Sequence, residues 1–205
     1  DVLINSAVDI DSGDLTITSG GNITVSADLN SATFVATASG DVAINNAINS
    51  GSGTLTIDAD NDLTVGANLT TSNTGNSAIV LTAGKNDAAG TSSGGQVMIS
   101  GSPTISTGGS GRTTFLTGSV SGSTGLTTLV GSGTGRFRYH SDETTTNYTT
   151  ALSTGKYAIY REQPTTTITP SSTTITYGDS TPTISASGLQ NGDTLTSSID
   201  SATYT

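Results

Sequence analysis

The chain has 205 residues, 32% of them hydrophobic, 4% aromatic and 11% charged, too little apolar bulk for one thick core and too little charge for a disordered polyelectrolyte. Sixteen acidic residues face six basic ones, and the first 84 positions hold nine Asp with neither Lys nor Arg, a balance that repels nucleic acid. There is no Cys, which excludes disulfide staples, thiolate nucleophiles and thiolate-held metals.

From the N-terminus the chain repeats itself. Residues 1–30, DVLINSAVDIDSGDLTITSGGNITVSADLN, agree with residues 41–70 at 14 positions. Within each forty-residue unit the apolar residues come as alternating pairs: Val2-Ile4, Leu15-Ile17 and Ile23-Val25, then Val42-Ile44, Leu55-Ile57 and Leu63-Val65. Period two predicts strands, here of three to five residues bounded by Gly, Asn, Asp or Ser, and nothing carries a 3.6-residue stripe, so no helix is expected. The unit divides again near twenty residues. Ile4, Val25, Ile44 and Val65 fall in one file, Val8, Leu29, Ile48 and Leu69 in a second, and Leu15-Ile17, Phe34-Ala36, Leu55-Ile57 and Ile79-Leu81 in a third. Short strands at such a period predict an all-β fold, a right-handed parallel β-helix or solenoid, whose coils stack about 4.8 Å apart with like residues above like.

After Leu81 the register loosens, and AGKNDAAGTSSGG (residues 83–95) reads as a loop bulging from a coil before strands resume at Val97-Ile99. Further coils are expected around Ile105, Phe115-Leu116, Val120 and Leu126 to Val130, closing the stalk at residue 135. Residues 136–163 concentrate four Tyr, one Phe, three of the four Arg and the only His, and read as a cap or junction over the open end of the stack, where an uncovered edge would invite pairing. Residues 164–205 read as the start of a separate β-sandwich module, with strands near 165–169, 173–177, 182–187 and 194–199 and an NGD turn at Asn191-Gly192-Asp193. At that length the module is partial, so the chain reads as an excerpt of a longer protein. No apolar run approaches the roughly 18 residues of a membrane span, and the N-terminus lacks a signal-peptide pattern.

Three sets of residues are candidate sites. Asp58, Asp60 and Asp62 alternate in DADND, and three carboxylates can share a hard cation such as Ca2+, although Leu63 and Leu69 stand where an EF-type loop needs Gly and an acid. DIDSGD offers Asp9, Asp11 and Asp14 in the same way. In the junction, Arg136, Arg138 and His140 alternate with Phe137 and Tyr139, placing a basic and an aromatic face on one strand. Phe137, Tyr139, His140 and Tyr148 are the candidate carbohydrate-stacking set, with pairing to Asp142 and Glu143 and capping of the rod as the alternative role. His140 has no second His or Cys for a metal set. Catalysis is not expected: polysaccharide cleavage needs clustered carboxylates, and the only two Glu both lie in the junction. Outward Thr-x-Thr pairs do not recur on one file in every coil, as a flat Thr ladder would need.

The stacked GDVAINNAINSGSGTLTIDADNDLTVGANL coils (residues 40–69) resemble the parallel β-helix of filamentous-haemagglutinin-type adhesins exported by two-partner secretion. The tail TYGDSTPTISASGLQNGDTL (residues 176–195) resembles the bacterial Ig-like modules called MBG or YDG domains, through Tyr177-Gly178-Asp179, Pro182 and Gly188-Leu189-x-Asn191-Gly192-Asp193. The resemblance implies export through an outer-membrane pore, an extracellular or cell-surface location, and a fibre that contacts a surface or matrix polysaccharide or a host receptor in attachment or biofilm. A carbohydrate-binding module is the alternative, with a polysaccharide-cleaving β-helix and a trimeric phage tail spike behind it.

Overall fold

The computed structural model describes residues 1–174 and 176–195. Five coils, each of three short strands, wind in succession: β1 (Val2–Ile4), β2 (Val8–Asp9) and β3 (Asp14–Ser19), then β4 (Ile23–Val25), β5 (Leu29–Asn30) and β6 (Thr33–Ala38). The third coil holds β7 (Val42–Ile44), β8 (Ile48–Asn49) and β9 (Leu55–Ala59), and the fourth β10 (Leu63–Val65), β11 (Leu69–Thr70) and β12 (Ile79–Ala83). The fifth holds β13 (Val97–Ile99), β14 (Ile105–Ser106) and β15 (Arg112–Thr117). Corresponding strands pair in parallel, so three sheets run along the stack, ordered β1-β4-β7-β10-β13, β2-β5-β8-β11-β14 and β3-β6-β9-β12-β15. The fold is a three-sided parallel β-helix, as the twenty-residue period predicts.

The expected files are the observed registers. Ile4, Val25, Ile44 and Val65 pair in succession, as do Val8, Leu29, Ile48 and Leu69. On the third side Leu15, Phe34, Leu55 and Ile79 form one column and Ile17, Ala36, Ile57 and Leu81 its neighbour. Inward residues of the middle coils are fully buried, while the intervening Thr and Ala face outward. Because each coil encloses the same small cross-section, bulk must balance within it. In the second coil Phe34 is offset by Ala36 two positions on; in the fifth, Phe115 stands in the second column and Thr113 in the first. The first coil's Val2, Ile4, Val8, Leu15 and Ile17 are partly buried.

Polar turns stack as regularly. Asp1 Oδ1 accepts the Asn22 backbone N–H at 2.7 Å, Asn22 Oδ1 that of Asp41 at 2.8 Å, Asp41 Oδ1 that of Asp62 at 3.2 Å, and Asp62 Oδ1 that of Gln96 at 2.7 Å. Each coil's Asx side chain thus satisfies an amide of the next, while the carbonyls of Asn22, Asp41, Asp62 and Gln96 accept the backbone N–H groups of Val2, Ile23, Val42 and Leu63.

Residues 84–96 leave the stack, with Ala83 still in register with Ala59 and Val97 with Leu63. Past the fifth coil two expectations change. Leu126–Val130 forms a short helix, α1, where a strand was expected. Gly125 (φ 75°) and Gly131 (φ 105°) bracket it in backbone conformations open chiefly to glycine, and buried Leu126 and Val130 turn onto β13, covering that end. The parallel stack also runs beyond residue 135. β16 (Phe137–Arg138) and β17 (Gly155–Tyr160) extend the third sheet to seven strands, in the order β15-β17-β16. The chain therefore passes over one position, lays down β16, and returns through residues 139–154 to place β17 between β16 and β15.

Beyond this, β18 (Thr167–Pro170) and β19 (Ile184–Ser187) pair antiparallel, Thr167 with Ser187 and Pro170 with Ile184. No strand forms at Thr173-Thr174 or Thr176-Tyr177. Local bonds hold those residues instead: the Thr174 N–H donates to the Ser172 hydroxyl, and the Thr176 N–H to the Asp179 carboxylate. The strand expected at 194–199 lies, from residue 196, outside the described residues.

Candidate functional site

The alternating acids that follow Ile57 each have a separate partner in the inserted loop. Asp58 forms an ion pair with Lys85, Asp60 Oδ1 accepts from Asn86 Nδ2 at 3.5 Å, and Asp62 is engaged by the Gln96 N–H. Among the described residues no three His, Asp or Glu side chains come together to hold a metal ion. Asp9 likewise serves its own turn, accepting the Asp11 N–H at 3.2 Å while Asp11 takes a positive φ of 45°.

The junction does bring its aromatic residues together, though not as a single platform. Phe137 and Tyr139 point inward and stack on Tyr160 of β17, with ring centroids 6.4 and 5.7 Å away. Phe137 is buried. On the opposite side Arg138 lies over Tyr148 and Tyr157 at 5.4 and 5.5 Å, and Arg136 over Tyr157 at 5.5 Å. Both arginines donate to backbone carbonyls, Arg136 to Thr154 and Arg138 to Gly135 and Phe137, rather than to Asp142 or Glu143. Burial raises the Tyr157 hydroxyl, but hydrogen bonds from Ser153 and the two guanidiniums outweigh it and bring it below the usual tyrosine range. His140, two residues past β16, turns the chain with φ 52°. The four residues proposed from sequence to stack sugars are thus split: Phe137 is interior, Tyr148 packs on an arginine, His140 turns the chain, and Tyr139, like His140 and Tyr148, is partly exposed.

A charged corner lies under the inserted loop. Arg161 is fully buried; Nη2 donates to the Gly95 carbonyl at 2.9 Å and stands 3.9 Å from Asp87, while Nε and Nη1 have no partner among the described residues. Burial pulls its guanidinium below the usual arginine range, with Glu143, Asp87 and Asp142 opposing. The loop's neck closes around it: a Cβ on Gly95 (φ 58°) would strike the Gly84 backbone, and one on Gly84 (φ 65°) would strike Arg161. Farther along, the Gly90 N–H donates to the Arg161 carbonyl at 2.7 Å and the Ala89 N–H to Asp142 at 2.8 Å. Burial raises the Asp142 carboxyl, but the N–H groups of Thr144, Ala89 and Thr145 and the Thr144 hydroxyl outweigh it and bring it down to about 2.

The NGD turn is the anchor that sequence reading did not identify. Asn191 (φ 52°) and Gly192 (φ 74°) form a tight turn closed by the Asp193 N–H on the Gln190 carbonyl at 2.8 Å, the geometry that Asn-Gly favours. Asn191 is buried. Its Nδ2 donates to the Tyr139 hydroxyl at 3.1 Å, its Oδ1 accepts from Thr127 of α1, and its carbonyl accepts the Gly133 N–H at 3.0 Å. The Tyr139 hydroxyl in turn donates to Asp193 at 2.8 Å. Burial pushes the Tyr139 hydroxyl far above its ordinary value and the Tyr160 hydroxyl up to about 12. Where turn and stack meet, a cleft of about 190 Å3 opens, bordered by Tyr139, Gln163, Pro164, Leu189, Gln190 and Asp193.

Comparison of the chain with family models, curated proteins and solved structures finds no match. Among the described residues no helix is long and apolar enough to cross a membrane.

Proposed function

We propose that the chain is a stalk segment of a secreted, cell-surface bacterial adhesin of the filamentous-haemagglutinin type, leading into an Ig-like MBG/YDG-type module, and that it serves attachment to a surface or to matrix. The observation that carries this reading is the unbroken run of parallel pairing along three sheets. Every coil is bonded to its neighbours through the backbone, so load and distance pass along the axis through many parallel bonds. The coil faces present Thr, Ser, Asn and Asp, which suits a solvated rod, and Asp1, Asp41 and Asp62 bridge successive turns. Export through an outer-membrane pore belongs to the same proposal.

Cell fractionation and immunogold labelling of the native host are the test. The reading expects the protein outside the cell, and it expects removal of the whole segment to lower attachment or aggregation. In-frame removal of residues 23–62, two whole coils, should retain part of it, since the remaining rungs restack with a rod shorter by about 10 Å. An intracellular protein, or attachment unchanged when the entire segment is deleted, refutes the proposal.

A further inference from the structure

We infer that the cleft between Tyr139 and the NGD turn is a binding site for one neutral pyranose ring, such as a terminal or branch hexose of a glycan. The cleft holds about 190 Å3, which suits a single sugar unit. Its walls are of two kinds. Tyr139, Pro164 and Leu189 offer apolar surface to the C–H face of a ring; Gln163 offers its amide to the ring hydroxyls, and Gln190, whose Nε2 also donates to the Gly188 carbonyl at 3.3 Å, offers its remaining donor and its acceptor.

The apolar wall is fixed before any ligand arrives. Tyr139 is stacked on Tyr160 at 5.7 Å and 15°, and its hydroxyl is held by Asn191 and Asp193, so little ordering remains to be done on binding. Charge selects against ionic ligands. Asp193 on the wall and a net charge of −10 disfavour phosphate, sulfate and uronic acids. A cation gains little, because the Asp193 carboxylate already accepts from the Tyr139 hydroxyl. The site would function whether or not the chain is exported, so its fate is separate from that of the stalk proposal.

The experiment is ligand-observed saturation-transfer NMR on the full 205-residue chain with methyl glycosides of neutral hexoses, an amino sugar and a uronic acid, followed by a glycan array. At least one neutral hexoside should bind saturably, and the uronic acid should not. Replacing Gln163→Ala and Gln190→Ala together should weaken binding at least tenfold with unchanged circular dichroism. Leu189→Trp, which fills the cleft, should abolish it, and Tyr148→Ala, outside the cleft, should leave it intact. The inference is overturned if no neutral saccharide binds saturably, if the double Gln variant binds as the parent does, or if Tyr148→Ala removes binding as fully as the cleft variants.

Discussion

Replacing Phe34 by Leu and Ala36 by Ile rewrites the second coil in the residues that the third coil uses at the same register, Leu55 and Ile57. Both positions are fully buried and lie on the inward face of β6, two residues apart. Phe34→Leu alone leaves a void of roughly 25 Å3, worth about 0.6 kcal/mol at about 24 cal/mol per Å3, and with about 1 kcal/mol of lost transfer energy the total is about 1.5 kcal/mol. Ala36→Ile alone forces three extra carbons into a filled layer, about 2 kcal/mol. Were the sites independent, the pair would lose about 3.5 kcal/mol; if bulk is exchanged within the coil, it should lose under about 1.5 kcal/mol. Urea denaturation of the four proteins closes the double-mutant cycle and should give a favourable coupling of about 2 kcal/mol with unchanged m-values. A coupling below about 0.5 kcal/mol would mean that the columns pack independently, and the volume-balance argument would fail.

Three further outcomes follow from the junction. Asn191→Ala removes the donor to Tyr139 and the acceptor for Thr127 and puts a Cβ-bearing residue with no turn-forming side chain at φ 52°; about 2–4 kcal/mol of docking should be lost, seen as faster hydrogen exchange at Gly133 while the coils stay protected. Asp142 is held down to about 2, so its contribution is present above the unfolded-state carboxylate pKa near 4 and disappears as pH falls through 2. The Ala89 amide resonance should therefore shift with a midpoint near 2 in the parent and show no such titration in Asp142→Asn. Arg161→Met removes a buried guanidinium of which two nitrogens have no partner among the described residues and should raise the melting temperature of the stack, yet loosen residues 84–95 by deleting the bond to Gly95; limited proteolysis in that loop separates the two effects, and a lowered melting temperature would refute the first.

The coil architecture was legible because a solenoid makes each long-range contact a fixed sequence interval: Val25 meets Ile44 for the same reason that Leu29 meets Ile48. The loop at 84–96 was legible as a break in that interval. What failed to show were contacts set by no interval. The LTTLV of α1 carries apolar residues at both ends and reads as another strand; its helical state follows from the glycines on either side and from the exposed edge of β13 that it covers. Nothing local indicates that GKYAIY enters the sheet ahead of β16, because the order is decided by which strand pairs better with Arg112–Thr117, some forty residues earlier. Tyr139 stood out in the sequence as a candidate by type. Its partners Asn191 and Asp193 lie 52 and 54 positions away, and Arg161 became a buried residue only through a loop 66 positions before it.

That division has a topological cause, and it fixes where recognition can reside in such a molecule. Within the stack each coil is roofed and floored by copies of itself, so inward space is filled by the file and outward space is a ribbed surface with little concavity. The middle coils accordingly bury their apolar residues completely and use their Asp and Asn to bridge successive turns. The repetition is interrupted at the inserted loop and at the end, where α1, the out-of-order β17 and the NGD turn meet surfaces unlike themselves, and there the files no longer dictate how space is filled. The buried Arg161 and the Tyr139 cleft both occupy such interruptions. A variant that lengthens the rod by one forty-residue unit between residues 22 and 23 should therefore leave both of them unaltered, because neither depends on how many identical rungs lie beneath.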